Sequence, residues 1–309
     1  MALVEHDVCR IDGFGPLPVV RPRSVDEAGA VVRRAAAEGR AVYPVGGGTA
    51  LGVGLPPQRP GLALDTRGLA AVVDYPARDM TITVEAGIIL AELQRLLAAE
   101  NQRLPVDVPR PERATLGGAL AVNASGPRRY GFGTLRDYVI GISTVNDEGH
   151  EVKAGGRVVK NVAGYDLCKL HVGALGTLGV ITRVTLKLRP LPESQALMAL
   201  GCQAAGLEAL LDLLHRTRTR PACLDLLNAA AVRAVTDEAR VHLPEAPWVV
   251  VVGFEDNDDA VSWQVKQLVK ELGPDGARGL EARAGAAAGP LWRALAELPA
   301  RPSVTARHR

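Results

Sequence analysis

Three consecutive glycines, Gly46, Gly47 and Gly48, precede Thr49 in the stretch VYPVGGGTALGVG (residues 42–54). With no side chain in the way, successive backbone N–H groups of such a loop can turn inward and form a concave anion-binding site. Glycine also adopts the positive φ angles that this arrangement needs, and Thr49 adds a hydroxyl donor. The pattern predicts a phosphate or pyrophosphate site, and its plain alternative is an ordinary glycine-rich turn.

Spacing excludes two other phosphate-binding loops at this position. A P-loop requires a lysine where this chain has Val53, and a dinucleotide-binding fingerprint requires a third glycine where it has Leu51. The prolines at 56 and 57 then oppose a helix directly after the loop. The loop must therefore be positioned by the strand before it.

Composition narrows the class of protein. The chain has 309 residues, is 47% hydrophobic and carries a net charge of +2, which is enough for one large or two medium domains. Aromatic residues make up 4% and no basic block interleaves with them, so nucleic-acid binding has no support. The four cysteines form no C-x-x-C pair and the six histidines are isolated, so we expect no metal site, no iron–sulfur cluster and a reducing compartment.

The first residues, MALVEHDVCR, lack the apolar run of a signal peptide, and no uncharged apolar stretch of about 20 residues occurs. We therefore expect a cytoplasmic protein, with any attachment to the inner face of the membrane being peripheral and made through partners.

The elements predicted around the glycine motif alternate. A strand starts at Val19–Val20, and residues 24–27 (SVDE) form a capping box for a helix that stops at Gly39. A strand over residues 41–45 then leads into the glycines. Further along, the patterns predict strands at 62–65, 71–74, 81–85 and 180–189, helices at 88–99 and from Thr115, and a hairpin of 138–146 with 150–154.

The pattern changes beyond the proline-rich residues 190–192, which predict a domain boundary. Two split β-α-β units follow, typical of a second α+β domain. Their predicted strands are 196–202, 222–227, 248–254 and 279–283, and their predicted helices are 207–216, 259–272 and a segment around Trp292.

Four more glycine-rich segments share the first domain: residues 115–118 (TLGG), 123–126 (NASG), 130–133 (YGFG) and 173–181 (GALGTLGVI). One such segment carries little information. Five in one domain predict backbone that lines an extended ligand rather than a single phosphate.

The order GGGT, TLGG, NASG and GYDLCKLHVGALGTLGVIT resembles the FAD-binding domain of the vanillyl-alcohol oxidase, or PCMH, superfamily over residues 18–192. Residues 158–166 and 125–129 are also similar to the FAD-binding subunits of bacterial glycolate oxidases. The resemblance implies an α+β fold: a PCMH-type FAD-binding domain with two subdomains over residues 1–192, then a smaller ferredoxin-like α+β cap domain over residues 193–309.

The resemblance also implies roles for single residues. The pyrophosphate would lie on Gly46, Gly47, Gly48 and Thr49, flanked by Val45 and Gly52. The other implied cofactor-binding residues are Thr115, Gly117 and Gly118 on the pyrophosphate and flavin side, Asn123, Ser125 and Gly126 beside the cofactor, and Gly179, Val180 and Ile181 through their backbone.

Two departures from the family pattern refine these expectations. Thr49 stands where covalent members carry the histidine that links the flavin, so we expect noncovalent FAD. The second domain lacks the clustered histidines of metal-assisted hydroxy-acid enzymes, offering only His215 and His242, with His308 in the tail. No catalytic residue and no metal ligand is therefore assigned.

The implied function is that of an FAD-binding subunit in a glycolate (2-hydroxy acid) oxidase or dehydrogenase complex. Its partners would be a larger flavoprotein subunit and an iron–sulfur subunit, and electrons would pass to an acceptor other than nicotinamide. The alternatives are a self-contained FAD-dependent 2-hydroxy acid dehydrogenase and a noncatalytic flavin-binding assembly subunit.

Two polar groups have open interpretations. Lys160, Asn161, Tyr165, Asp166 and Lys169 could line a substrate or anion pocket, or could form caps and a solvated face. The neighbouring arginines at 128 and 129 could attract a carboxylate or form a subunit contact.

Overall fold

A computed structural model describes residues 8–156, 165–276 and 279–301. The chain divides into two compact units, and each unit takes two separate stretches of sequence. The first takes Met1–Ala124 and Thr134–Pro190, and the second takes Ser125–Gly133 and Leu191–Arg309.

The first unit contains two main sheets and short helices. Its strands are β1 (Val8–Ile11), β2 (Phe14–Val20), β3 (Ala41–Val45), β4 (Gly61–Asp65), β5 (Val72–Asp74), β6 (Thr81–Glu85), β7 (Gln102–Arg103), β8 (Val139–Val145), β9 (Glu151–Gly155), β10 (Val180–Lys187) and β11 (Arg189–Pro190). Its helices are α1 (Val25–Ala37), α2 (Leu90–Ala98), α3 (Leu116–Val122) and α5 (Cys168–His171), α4 belonging to the second unit.

The first sheet has the order β1-β2-β4-β3, with β4 parallel to both β2 and β3. The second has the order β5-β6-β10-β8-β9, and its neighbouring strands are antiparallel. The buried face of α1 packs in one core cluster with Leu62 and Leu64 of β4 and with Val145 and Val180 of the second sheet. Helix α1 therefore joins the two sheets through a shared core.

Helix α1 begins as predicted, but its cap differs in one bond. Ser24 Oγ accepts from the backbone N–H of Glu27 at 3.1 Å, whereas Glu27 Oε2 accepts from the N–H of Arg23, at 2.8 Å. The helix ends before Gly39, whose φ of +66° is a conformation that glycine adopts without strain. The strand predicted to start at Val19–Val20 ends there instead, because β2 begins at Phe14.

The second unit is built on one antiparallel sheet. Its strands are β12 (Ser194–Cys202), β13 (Cys223–Asn228), β14 (Trp248–Asp256) and β15 (Leu280–Ala284), in the order β13-β14-β12-β15. Its helices are α4 (Arg129–Phe132), α6 (Ala204–Arg216), α7 (Ala229–Ala239), α8 (Asp258–Gly276) and α9 (Gly289–Glu297). The first and second strands are joined by α6 and the third and fourth by α8, which is the ferredoxin-like arrangement that the sequence predicts.

Two helices of the second unit depart from the predicted pattern. Helix α7 was not predicted, and it lies between the second and third strands. Helix α8 extends to Gly276 only by joining two helical pieces, since Gly273 has φ 67° and ψ −179°. The regular part of α8 therefore ends near Leu272, where the sequence places its end.

Candidate functional site

The glycine loop, residues 46–54, leaves the carboxyl end of β3 beside β4. Val45 pairs with Asp65 at the end of the two strands, and Thr66 Oγ1 donates to the carbonyl of Val45 at 3.2 Å. Both strands are held in register up to this point, so the first glycine of the loop has a fixed position.

The three glycines are required for different reasons. A Cβ at Gly46 would overlap Thr115 Oγ1, and a Cβ at Gly47 would overlap the carbonyl oxygen of Arg113. Of the three, Gly48 alone has a positive φ, +69°, and the nearest atom to a Cβ there is Leu51 Cδ1, at 3.7 Å. Close packing therefore fixes the first two glycines, and backbone conformation fixes the third.

The backbone of the glycine loop is available for a ligand. Within the described residues, no backbone carbonyl accepts a hydrogen bond from the amides of Gly47, Gly48 or Thr49. The Arg113 guanidinium reaches the loop, with Nη2 3.5 Å from the carbonyl oxygen of Gly47. Unpaired amides next to a cation suit an anion such as a pyrophosphate, so the residues present fit the diphosphate group of FAD.

The segment that follows Arg113 supports this loop from one side. Thr115 caps α3, and its Oγ1 accepts from the N–H of Gly118 at 3.2 Å, which commits that amide to the protein itself. A Cβ at Gly117 would come 2.9 Å from Ala86 Cβ, so this glycine lets α3 approach the turn after β6. Thr115, Gly117 and Gly118 thus have clear structural duties beside Gly46.

Asn123 ends α3 in the left-handed conformation, with φ 48° and ψ 49°. Its backbone N–H donates to the carbonyl of Leu120 at 3.0 Å, while its side-chain Oδ1 is buried and has no hydrogen-bond partner among the described residues. A buried acceptor without a partner calls for an explanation. A donor on a bound cofactor would supply the missing hydrogen bond.

A second glycine-rich loop, residues 173–179, packs against the first. A Cβ at Gly176 would lie 3.5 Å from Pro44 Cγ, and a Cβ at Gly54 would lie 2.9 Å from Leu175 Cδ1. Gly179 has φ +140° and leads into β10, where Val180 and Ile181 are buried. Because the side chains of both are in the core, only their backbone is available to a ligand.

The structure therefore assembles most of the proposed cofactor residues within the first unit, and it places two elsewhere. Ser125 and Gly126 belong to the second unit. Gly52 lies in the glycine loop, where the nearest atom to an added Cβ is Asp12 Oδ1 at 4.0 Å.

Sequence reasoning missed a charged cluster at the end of β4. Asp65 has a side chain only 3% exposed, and it accepts hydrogen bonds of 2.7 Å from both Arg21 Nε and Arg67 Nη2. Burial raises the pKa of this carboxyl, but hydrogen bonds from Arg67 and Arg21 outweigh burial and hold the pKa below its usual value. An ionised carboxylate thus sits one strand away from Val45, where the glycine loop begins.

Arg113 is the second missed residue. Its side chain is exposed and reaches the glycine loop. The sequence already indicated a cation near the loop, since arginines at 110 and 113 lie shortly before the TLGG segment.

The polar group near residue 165 is only partly visible, because Lys160 and Asn161 lie outside the described residues. Tyr165 is 92% exposed, and Lys169 Nζ lies 3.4 Å from Asp166 Oδ2 in an ion pair. These three residues form a solvated face. Burial raises the pKa of the nearby Cys168 thiol to about 11, so this thiol stays protonated.

A metal-ligand cluster and a membrane-spanning helix are both absent from the part of the chain that the structure describes. No cluster of three or more histidine, cysteine, aspartate or glutamate side chains is close enough to hold a metal ion. None of the described helices has the length and apolarity needed to cross a membrane.

Comparison with known proteins identifies the class of the first unit. Residues 16–155 match the FAD binding domain family. A solved structure of alkyldihydroxyacetonephosphate synthase covers 91% of this chain with a TM-score of 0.71 and 22% identity, and this chain covers 56% of it. At that identity the likeness shows the fold alone, and it confirms the α+β fold.

Among curated proteins, the chain is 31% identical over 242 residues to glycolate oxidase subunit GlcD of Bacillus subtilis, covering 78% of this chain and 52% of that protein. It is 39% identical over 135 residues to glycolate oxidase subunit GlcE of Escherichia coli. That alignment covers 43% of this chain and 39% of the relative. It is 30% identical over 286 residues to a D-2-hydroxyglutarate dehydrogenase of Xanthomonas citri, 90% of this chain and 60% of the relative.

Residues 16–155 therefore match an FAD binding domain, and FAD is the cofactor. The particular relatives are glycolate oxidase subunits and dehydrogenases of D-lactate and D-2-hydroxyglutarate. The resemblance that the glycine motifs indicated is confirmed. The chain spans about 39–60% of the length of these three curated relatives.

Proposed function

We propose that this chain is the FAD-binding subunit of a complex that oxidises a small 2-hydroxy acid to the 2-oxo acid. The observation that carries the proposal is the glycine loop with unpaired amides inside a recognised FAD-binding domain. When bound, FAD supplies the two-electron oxidation, and the electrons leave to an acceptor other than nicotinamide. The relatives named as glycolate oxidase subunits support membership in a complex of several subunits. In this proposal the other members are a larger flavoprotein subunit and an iron–sulfur subunit.

The residues of the first unit have distinct duties in this proposal. The amides of Gly47, Gly48 and Thr49 bind the pyrophosphate, and Arg113 offsets its charge. Asn123 accepts a hydrogen bond through its buried Oδ1. Thr49 offers no imidazole for a covalent link, so the flavin is held noncovalently.

The described residues of the second unit do not include an evident general base. Of its two described histidines, His215 Nδ1 lies 2.8 Å from the carbonyl oxygen of Leu211, and His242 Nδ1 lies 3.2 Å from Glu281 Oε1. Each is engaged with a different part of the unit. We therefore assign proton removal from the substrate to a partner subunit.

A self-contained dehydrogenase is the second candidate, because the relatives named as D-lactate and D-2-hydroxyglutarate dehydrogenases align over 82–90% of this chain. Each of those relatives is longer than this chain, which covers 57–60% of them.

Dye-linked oxidation separates the two candidates. The purified chain is loaded with FAD and offered glycolate, D-lactate or D-2-hydroxyglutarate with an artificial electron acceptor, alone and with the larger flavoprotein and iron–sulfur subunits. We expect bound flavin but slow or no dye reduction by the chain alone, and activity once the partners are added. Rapid turnover by the chain alone would establish the self-contained dehydrogenase. If the purified chain does not bind FAD, both catalytic candidates fail and only the noncatalytic assembly role remains.

A further inference from the structure

The turn after β4, residues 65–69 and here the Thr66 turn, holds the end of the strand from which the glycine loop leaves. The turn begins at Asp65, whose side chain caps it by accepting from the backbone N–H of Arg67 at 3.0 Å. Thr66 is 6% exposed, and its Oγ1 donates to the carbonyl of Val45 at 3.2 Å. A buried hydroxyl is therefore used on the last residue of β3.

The bond to Val45 also determines the direction of the first amide of the glycine loop. The peptide group that joins Val45 to Gly46 is planar and trans, so the carbonyl of Val45 and the N–H of Gly46 point in opposite directions. A bond that fixes the carbonyl therefore fixes this plane. The amides of Gly47, Gly48 and Thr49 follow directly, so their orientation starts from the same plane.

The Thr66 turn also packs on the chain that follows β6. The N–H of Gly87 donates to the carbonyl of Leu69 at 2.7 Å, and a Cβ at Gly87 would overlap the carbonyl oxygen of Thr66. The neighbouring Ala86 accepts from the N–H of Gly117, at the start of α3, at 2.7 Å. The turn and the start of α3 therefore lie against the same short segment.

These contacts close a ring around the first glycine of the loop. Thr115, the cap of α3, occupies the space where a Cβ at Gly46 would stand. Gly46 is thus held from the helix side by Thr115 and from the strand side by Thr66, through Val45. Every member of the ring belongs to the first unit. A shift of the Thr66 turn would therefore reach the glycine loop from both sides.

The geometry points to Thr66 as a positioning residue for the pyrophosphate of FAD. Its hydroxyl orients the peptide plane that opens the glycine loop, and so holds the following amides in the direction that binds an anion. A loop that is already ordered loses less conformational freedom when the ligand binds. The inference rests on the proposed function, in which those amides bind the pyrophosphate. It adds that FAD affinity depends on a buried hydroxyl outside the loop.

The test compares the FAD dissociation constants of variants of the full chain, measured by flavin fluorescence titration, with their urea unfolding midpoints. Thr66→Val keeps the branched shape and removes the donor, so we expect FAD affinity to fall about fivefold to tenfold, the size of one hydrogen bond. Thr66→Ser keeps the hydroxyl and loses a buried methyl group, so we expect a lower midpoint with FAD affinity within about twofold of the wild type. A purely structural role would instead make affinity follow the midpoint.

Thr185→Val is the matched control in the same unit. Thr185 Oγ1 lies 2.9 Å from Thr83 Oγ1, between β10 and β6, so this substitution also takes a hydroxyl away from its partner. We expect the control to bind FAD as the wild type does. Equal losses of affinity in Thr185→Val and Thr66→Val would overturn the inference, because the effect would then be general.

Competition with ADP locates the effect within the cofactor, since ADP carries the pyrophosphate without the flavin. We expect ADP to displace FAD from the wild type, and Thr66→Val to weaken the binding of ADP and of FAD by the same factor. Weaker FAD binding with unchanged ADP binding would overturn the inference, because Thr66 would then act on another part of FAD.

The outcomes separate this inference from the proposed function. A wild-type chain that binds no FAD, or from which ADP displaces none, contradicts the pyrophosphate site of the proposed function. Equal FAD affinity in the wild type and in Thr66→Val overturns the positioning role alone. If Thr66→Val does not fold, Thr66→Ser and Thr66→Ala decide, because they differ only in the hydroxyl. Equal FAD affinity in those two variants counts against the inference.

Discussion

The glycine loop of the first unit and the Arg128 cluster of the second, formed by Arg128, Glu255 and Trp292, are built by opposite means. The loop offers backbone amides with almost no side chains, and its neighbours, such as Thr115, pack where a Cβ would otherwise stand. The Arg128 cluster uses charged and aromatic side chains that are buried and paired with each other. A loop left open in this way can bind a ligand, whereas a cluster satisfied in this way can only hold other residues in place.

The two regions also differ in how well they can be predicted from the sequence. The loop is one contiguous motif, so its chemistry can be predicted from adjacent residues. Arg128 and Glu255 are 127 positions apart, and no local pattern joins them. Each substitution must therefore be chosen from the structural role of the residue and not from its amino-acid type.

Among the substitutions considered, the largest loss of FAD affinity is expected at Gly48, in the glycine loop. Valine at a φ of +69° is strained, so Gly48→Val should distort the loop and lower FAD affinity about 100-fold or more, on the order of 3 kcal/mol. Gly47→Val is a poorer probe, because its side chain would overlap the Arg113 backbone and disturb folding itself. Affinity is measured by flavin fluorescence titration.

Gly39→Val is the matched control for this prediction. Gly39 has a φ of +66° and no atom within 4 Å of an added Cβ, so the backbone strain is the same but the residue follows α1 instead of β3. We expect Gly39→Val to be destabilised and still bind FAD normally. Normal FAD binding by Gly48→Val would place the pyrophosphate somewhere else.

A smaller effect is expected at Asp65, which stabilises the strand end before the loop. Asp65→Asn removes a buried charge partner of two half-exposed arginines and should lower the free energy of unfolding by about 2–3 kcal/mol at pH 7. The folded-state pKa of Asp65 is below the unfolded value of about 3.9. This stabilisation is therefore present above that value and is lost as the pH falls through the folded-state pKa.

Urea unfolding of wild type and Asp65→Asn at a series of pH values measures this difference. We expect the gap between the two to be widest near neutrality and to close below about pH 4. Glu38→Gln, which removes an exposed carboxylate paired with Arg34 and Arg40, should leave the unfolding midpoint nearly unchanged. A gap at Asp65 that did not depend on pH would mean that its charge has no part in stability.

Much of the fold was predictable from local pattern. Strands β3 and β6 have the predicted bounds. The Thr115 cap and the ferredoxin-like order of the second unit were also predictable. Helix α7 was missed, although its buried residues Ala231, Val235 and Ala239 keep helical spacing.

The candidate site was predictable only where it is made of backbone. The glycines of the first loop were found, but Asp65 was read as the end of a strand and not as an ion-pair partner of Arg21 and Arg67. The grouping of Ser125 and Gly126 with the second unit also depends on contacts from Arg128 onward. Such features follow from tertiary packing, which local spacing does not encode.

The most direct test of the central claim, noncovalent FAD held by the first unit, is acid precipitation of the purified, FAD-loaded chain. Thr49 stands in place of a linking histidine, so we expect all of the flavin to appear in the supernatant, with a colourless pellet. Yellow colour that stays with the precipitated protein would contradict noncovalent binding. A colourless chain that takes up no FAD on titration would contradict the site itself.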